Sequence, residues 1–153
     1  MRLHHVNIVT SDVEGLNEFY QTILGLESIT DEIQVKPMDG YAGGADANPS
    51  GVSMLRAGGD GGSYTSADEV AQLHLVTRDP YLHTRYNQSE NPVLDGHVAF
   101  RCDDIELVKT RLVEAGIPFA DYGTWAIPGW YQIFVRDPAG TLVEIHEAGY
   151  DKR

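Results

Sequence analysis

The sequence contains an internal repeat, and this repeat constrains the fold more than any other feature. The segment of residues 5–14 resembles the segment of residues 97–106 at an offset of 92 residues, with His, Val, Asp and Glu matching in register. In both segments apolar and polar residues alternate, as in a strand with one buried face. Copies of a structural unit bury their apolar faces against each other. The sequence therefore predicts two similar units that share a core.

A helix is predicted after each of these strands, over residues 12–24 and 104–115. Each helix begins with a pair of residues at capping-box spacing: Ser11 with Glu14, and Asp103 with Glu106. A glycine follows each helix as its expected C-terminal stop: Gly25 and Gly116. We expect each helix to bury an apolar stripe, made of Leu16, Phe19, Tyr20, Ile23 and Leu24 in the first and of Ile105, Val108, Leu112 and Val113 in the second.

Shorter strands complete each copy. They are predicted at residues 26–29, 52–56, 70–76, 117–119, 130–135 and 141–146. Each copy thus has the order βαβββ, and we predict an α+β fold in which two βαβββ repeats form a cup-shaped mixed sheet with the helices outside. We expect a single domain over residues 1–153, divided into repeat 1 (about 1–78), a connecting segment (about 79–94) and repeat 2 (about 95–148).

Four side chains occupy equivalent places in the two copies. His5 and His97 lie in the first strands, and His74 and Glu144 lie in the last strands. Strand alternation places each of them opposite the aliphatic residues of its own strand, and it places His4 on the other face, where we expect a structural role. If a pseudo-twofold axis relates the copies, three imidazoles and a carboxylate meet at one point, a set that suits a divalent transition metal.

Charge and cysteine content narrow the classes of function. The net charge of −12 argues against nucleic acid and anionic membranes as partners, because binding phosphates requires clustered Lys and Arg. Cys102 is the only cysteine, so no disulfide can form within the chain. No apolar stretch has the length of a signal peptide or of a membrane span. We therefore expect a cytoplasmic protein.

These motifs resemble the vicinal oxygen chelate superfamily, which includes glyoxalase I, methylmalonyl-CoA epimerase, fosfomycin-resistance enzymes, bleomycin-binding proteins and extradiol dioxygenases. The resemblance covers nearly the whole chain and rests on His5-Val6 with Ser11-Asp12, Phe19-Tyr20 through Leu24-Gly25, Gly96-His97-Val98, and Asp137-Pro138-Ala139-Gly140 with Glu144. It implies one divalent metal ion (Fe, Ni, Co, Zn or Mn) held by His5, His74, His97 and Glu144. His74 departs from the commoner Glu or Gln. The family also implies a homodimer.

The resemblance further implies a lyase or isomerase of glyoxalase I type. In such enzymes the metal chelates adjacent oxygens of a small substrate and stabilises an enolate or oxyanion. Glu144 and His146 are the candidates for the catalytic base. Arg101, Trp125 and Tyr131 are the candidates for substrate binding.

Two alternatives stay open. The spacing from Gly123 to Glu144 fits an Fe(II) extradiol-type dioxygenase, but Trp125 and Phe134 replace the His and Tyr that such enzymes use. A fourth ligand at His74 also exceeds the two-histidine, one-carboxylate set of these iron sites. The other alternative is a fosfomycin or bleomycin resistance protein. Retention of all four candidate ligands argues against a metal-free drug-binding protein.

Overall fold

The computed structural model describes residues 1–33, 51–57 and 70–150, and within these ranges eight strands form one mixed sheet. The strands are β1 (Arg2–Thr10), β2 (Glu27–Ser28), β3 (Val52–Arg56), β4 (Gln72–Thr77), β5 (His97–Arg101), β6 (Phe119–Gly123), β7 (Trp130–Arg136) and β8 (Leu142–Ala148). The helices are α1 (Val13–Thr22), α2 (Leu82–Arg85) and α3 (Ile105–Glu114), and a 3-10 turn covers Thr30–Glu32.

The strand order of the sheet is β2-β3-β4-β1-β5-β8-β7-β6. Outward from the centre, both halves therefore have the same order: first strand, last strand, third strand, second strand. The first and last strands of each half are parallel, and β1 and β5 pair antiparallel at the centre. Strands β2 and β6 form the two ends of the described sheet, which is open. The predicted α+β fold with two βαβββ units is confirmed.

The central register brings two rows of residues together. In one row, His5 on β1 is opposite Ala99 on β5, and Ala99 is in turn beside Glu144 on β8. In the other row, Asn7 is flanked by His74 and His97. Because directly paired residues project from the same face of a sheet, every one of these side chains lies on one face. Pairing β1 with β5 thus joins the candidate ligands of the two halves.

Both long helices are capped one residue later than the sequence analysis predicted. The carboxylates of Asp12 and Asp104 accept hydrogen bonds from the backbone N–H groups of Gly15 and Leu107, each at 2.9 Å. The prediction of Ser11 and Asp103 as caps was wrong, because adjacent residues can both act as caps and the spacing to glutamate does not decide between them. The predicted glycine stops are confirmed: Gly25 and Gly116 have φ angles of +69° and +67°.

The apolar stripes of the helices are buried only in part. Val13 and Ile105, in the first turns, are buried, whereas Phe19 is 49% exposed and Ile23 and Val113 are each 68% exposed. Helix α1 ends at Thr22, so Ile23 and Leu24 lie in the following turn and not on the helix face that contacts the sheet. The expectation of full core packing was therefore wrong at the C-terminal ends of the stripes.

The other differences from the predicted elements are local. Strand β6 begins at Phe119, the residue at which the prediction ended it. The connecting segment contains the short helix α2, whose Leu82 is fully buried. In the described part of the chain no helix is long and apolar enough to cross a membrane.

The capping assignment can be tested by substitution. Asp12→Ala removes the acceptor of the Gly15 N–H, so we expect it to lower the free energy of unfolding by about 1 kcal/mol. Ser11→Ala is the matched control and should change stability by only about a few tenths of a kcal/mol. Urea denaturation of both variants measures this difference. Equal effects of the two substitutions would contradict the assignment.

Candidate metal centre

Three side chains from three strands bring their ligand atoms together. The Nε2 atoms of His5 and His97 are 3.3 Å apart, and Oε2 of Glu144 lies 3.0 Å from His97 Nε2 and 3.6 Å from His5 Nε2. Ligand bonds of about 2.1 Å place two ligand atoms about 3.0 Å apart at a right angle and about 3.4 Å apart at the tetrahedral angle. The distances of 3.0 Å and 3.3 Å fall in this range and the distance of 3.6 Å is slightly longer, so the three atoms lie close to the mutual spacing of ligands on one transition-metal ion.

A small residue permits this approach. Ala99 lies on β5 between His5 and Glu144 in the same row of the sheet, and it is fully buried. A larger side chain there would project from the same face and occupy the space between the imidazole and the carboxylate. His5 and Glu144 are themselves almost fully buried, so the small alanine leaves space for the two side chains to approach each other inside the protein.

The charge states of His5 and Glu144 suit metal binding. Burial lowers the pKa of His5 to about 4, although Glu144 opposes this shift. Burial alone would raise the pKa of Glu144, but His5, His146 and His97 together hold this pKa well below its usual range. At neutral pH His5 is therefore neutral and Glu144 is ionised, and these are the forms that bind metals.

A backbone carbonyl fixes the tautomer of His97. Its Nδ1 lies 3.0 Å from the carbonyl oxygen of Pro92, so Nδ1 carries the proton and donates it. Its Nε2 then lies 3.0 Å from Oε2 of Glu144 and 3.3 Å from Nε2 of His5. A cation among these three atoms would contact one carboxylate oxygen and two imidazole nitrogens.

Arg101 holds Glu144 through a histidine. Its Nε donates to Nε2 of His146 at 3.1 Å, so His146 carries its proton on Nδ1, which lies 2.8 Å from Oε1 of Glu144. The guanidinium also lies over the ring of Trp130, on which His146 stacks with ring centres 4.2 Å apart. Gln132 donates to the same carboxylate oxygen at 3.3 Å. These contacts direct the other oxygen of Glu144 toward His5 and His97.

A second branch from Arg101 reaches His5 through His4. Nη2 of Arg101 lies 3.1 Å from His4 Nε2, and His4 Nδ1 lies 3.0 Å from His5 Nδ1. Because a guanidinium only donates, a neutral His4 donates from Nδ1 and a neutral His5 keeps its proton on Nε2. Binding a metal through His5 Nε2 requires that proton to leave. The Arg101–His4 contact must therefore break, or His4 must turn, when an ion is bound.

The predicted fourth ligand lies beside the cluster. The ring of His74 stacks on the ring of His5 with centres 3.8 Å apart, and its Nε2 lies 2.6 Å from Oε1 of Gln72. Burial lowers the pKa of His74 well below its usual value, so the ring is neutral. The structure thus brings His74 into contact with the site but directs its Nε2 to a glutamine. Its assignment as a ligand stays a prediction.

Another triad overlaps with the first. One ligand atom each from His5, Glu144 and His146 lie within 4.8 Å of one another. His146, however, accepts from Arg101 at Nε2, so only its Nδ1, which lies 2.8 Å from Oε1 of Glu144 and has no hydrogen-bond partner among the described residues, could contribute to this triad. The triad of His5, His97 and Glu144 has the shorter spacings and is the better candidate.

An apolar pocket opens onto the triad. Its empty volume is about 470 Å³, including a part open to solvent. Its described lining is Val52, Met54, Val76, Val93, Trp125, Ala126, Ile127 and Trp130, with the polar residues His5, Asn7, His74, His97, Gln132 and Glu144. A substrate in this pocket would contact the metal-binding atoms directly.

The three predicted substrate-binding residues occupy different places. Trp125 lines the pocket. Arg101 is buried in the network beneath Glu144 and is not in the described lining. Tyr131 projects from the other face of β7, toward α3, where its hydroxyl group contacts Asp121 and Lys109. The geometry supports a substrate role for Trp125 and gives none to Arg101 or Tyr131.

Sequence reasoning missed His4 and Gln132 as parts of the site. Alternation places His4 and His5 on opposite faces, but a register shift between Leu3 and His5 allows both histidines to be buried. Periodicity contains no signal for such a bulge. Gln132 lies two residues from Trp130 on the pocket face of β7, so alternation from Trp130 would have found it.

The network predicts the tautomers of four histidines in metal-free protein at neutral pH. His4, His97 and His146 should carry the proton on Nδ1, and His5 should carry it on Nε2. Long-range nitrogen–proton correlation spectra of labelled protein distinguish these forms. Arg101→Met removes the donor to His4 Nε2 and should change the His4 spectrum without changing that of His97. An Nδ1-protonated His5 in the metal-free protein would contradict the predicted network.

Comparisons with known proteins agree with this fold. The model of the Glyoxalase/Bleomycin resistance protein/Dioxygenase superfamily matches residues 2–145. No curated protein matches the sequence. Similar solved structures include methylmalonyl-CoA epimerase from Mycobacterium tuberculosis, with 17% identity, a TM-score of 0.56, and coverage of 96% of this chain and 87% of that one.

Two further structures show the same likeness. A variant of Streptomyces coelicolor methylmalonyl-CoA epimerase, in complex with 2-nitronate-propionyl-CoA, is 18% identical with a TM-score of 0.59 and 97% coverage of both chains. A superfamily member from Vibrio splendidus 12B01 is 16% identical with a TM-score of 0.50, over 95% of this chain and 97% of that one. At these identities the structures establish the fold only. With the family match across nearly its whole length, the chain belongs to the glyoxalase/bleomycin resistance protein/dioxygenase superfamily.

Proposed function

We propose that this protein is a divalent-metal-dependent isomerase or lyase of glyoxalase I type that acts on a small oxygenated substrate. The observation that carries the proposal is the convergence of three buried atoms from three strands, His5 Nε2, His97 Nε2 and Glu144 Oε2, at mutual distances of 3.3 Å, 3.0 Å and 3.6 Å. A divalent ion bound there would supply a Lewis acid for adjacent substrate oxygens and for the negative charge that develops on them.

The ligand set supports this chemistry. His5, His97 and Glu144 form the core of the proposed centre, and His74 is the proposed fourth ligand. Three or four protein ligands leave positions on the ion for substrate or water. The set suits Fe, Ni, Co, Zn or Mn, because imidazole and carboxylate are common ligands of these ions.

The pocket supports the same chemistry. Aliphatic and aromatic side chains make up most of its described lining and exclude water from the reacting group. Electrostatic stabilisation of an oxyanion is stronger in such a site than in water. A substrate that places two oxygens at the ion and its apolar part against this wall would fit the arrangement.

In this proposal a side chain beside the metal centre accepts a proton from the substrate. Glu144 and His146 are the bases predicted from the sequence. Glu144 lines the pocket, whereas His146 is outside the described lining and contacts Glu144 with its Nδ1 at 2.8 Å from Oε1. The low pKa of Glu144 makes its carboxylate a weak proton acceptor while the histidines surround it. His74 lines the pocket, so its position makes it the alternative proton acceptor if it does not bind the ion, although burial lowers its pKa as well.

Metal binding by variants tests the centre. His5→Ala, His97→Ala and Glu144→Ala should each lower the affinity for Zn²⁺ or Co²⁺ by more than about a hundredfold, since each removes a ligand. His83→Ala is the control, because His83 lies in α2 outside the cluster. Equilibrium dialysis followed by metal analysis gives the affinities. Equal metal content in the wild type and all three ligand variants would refute the proposed centre.

Turnover assays test the reaction class. Metal-loaded protein should act on a hemithioacetal or on an epimerisable acyl thioester without oxygen, and metal removal should abolish this activity. His74→Phe keeps the stacking on His5: loss of turnover with metal retained would assign His74 to proton transfer, and loss of both would assign it to the ion. Oxygen uptake with catechols would instead indicate a dioxygenase, and tight drug binding without turnover would indicate a resistance protein.

A further inference from the structure

Two buried polar groups in the pocket have no hydrogen-bond partner among the described residues. They are Oδ1 of Asn7 and the indole Nε1–H of Trp125, and both residues line the pocket. Asn7 is 8% exposed and Trp125 is 9% exposed. A buried polar group without a partner costs free energy, so a molecule that hydrogen-bonds to both groups would recover that free energy on binding.

The two groups lie in different parts of the pocket wall. Asn7 is on β1 beside His74 and His97 in the sheet, next to the proposed centre. Trp125 follows β6, and its ring packs against Tyr86, Tyr122 and Phe134, which hold the indole in place. The indole N–H can only donate, and the free amide oxygen can only accept. The wall therefore offers one fixed donor and one fixed acceptor.

The rest of the described lining indicates the charge of the ligand. It contains no Lys or Arg, and its only acidic side chain is Glu144. The whole chain has a net charge of −12. A carboxylate or phosphate at the Trp125 end would lose its hydration without gaining a cation, which is costly in an apolar site.

We infer that the pocket binds an uncharged, mainly apolar molecule with a carbonyl or ether oxygen for Trp125 and a hydroxyl or N–H group for Asn7. Trp125 and Asn7 determine specificity, and the apolar wall holds the hydrocarbon part of the ligand. This assignment names the substrate class of the proposed enzyme and in that respect rests on the proposed function, but the two contacts do not need the ion. Metal-free protein therefore tests the assignment separately from the proposed function.

Matched probes measure the Trp125 contact. Acetophenone and α-methylstyrene have nearly the same shape, but only acetophenone has an acceptor oxygen. In nitrogen-15-labelled, metal-free protein, acetophenone should shift the Trp125 indole signal, whereas α-methylstyrene should leave its hydrogen-bond shift unchanged. Trp125→Phe identifies the signal, and the Trp130 indole serves as internal reference. The variant should bind acetophenone about 3- to 10-fold more weakly and α-methylstyrene equally well.

A second pair of probes measures the Asn7 contact. Asn7→Leu has a similar size but no amide, so it should weaken binding of 1-phenylethanol about 3- to 10-fold relative to acetophenone. Benzoate should bind more weakly than acetophenone to the wild type. Thermal melting of both variants confirms that they fold, and a variant that does not fold is replaced by Trp125→Tyr or Asn7→Met.

Several results would overturn the assignment. The assignment is wrong if Trp125→Phe weakens the binding of acetophenone and α-methylstyrene equally, or if Asn7→Leu weakens the binding of 1-phenylethanol and acetophenone equally. It is also wrong if benzoate binds the wild type more tightly than acetophenone does, or if no probe binds at millimolar concentration. Repeating the titrations after loading Zn²⁺ shows whether the contacts persist beside an ion. If His5→Ala, His97→Ala and Glu144→Ala retain full metal binding but the probes bind as expected, the proposed metal centre is wrong and the assignment of the pocket stands.

Discussion

The antiparallel pairing of β1 with β5 is the contact on which the rest of the site depends. It joins two halves with the same strand order, and it places His5 and His97 on the same face of neighbouring strands. The parallel pairing of β5 with β8 then adds Glu144 across Ala99. One half alone supplies His97 and Glu144, and His5 joins them only across the central pairing. Both repeats are therefore needed to assemble the candidate centre as well as the sheet.

A buried cluster of histidines and one carboxylate costs free energy unless its polar atoms are satisfied. Here a directed series of hydrogen bonds satisfies most of them, from Arg101 through His4, His5 and His97 to the carbonyl of Pro92. Glu144 Oε2 lies beside this series, 3.0 Å from His97 Nε2 and 3.6 Å from His5 Nε2. A positive ion among these three atoms would contact the carboxylate and both imidazoles.

The sequence predicted the fold, and it predicted that His5, His97 and Glu144 lie close together, because both follow from periodicity. The 92-residue offset related His5 to His97, and strand alternation placed them opposite the aliphatic residues. The features that the sequence analysis did not predict correctly do not follow from periodicity. The bulge that buries His4 adds one residue to β1, and the choice between Asp12 and its neighbour as helix cap depends on local backbone geometry. The direction of the His74 ring depends on a rotamer and on Gln72, which spacing does not encode.

Arg101 shows why a residue on the ligand-bearing strand need not contact substrate. Its guanidinium donates to His146 and to His4, so one cation orients the partner of Glu144 and sets the tautomer of His5. The first branch favours metal binding because it turns Glu144 Oε2 toward the triad. The second branch opposes metal binding because it keeps a proton on His5 Nε2. Since both branches begin at the same side chain, loss of the Arg101–His4 contact would remove the branch that opposes metal binding and keep the Arg101–His146 contact that positions Glu144.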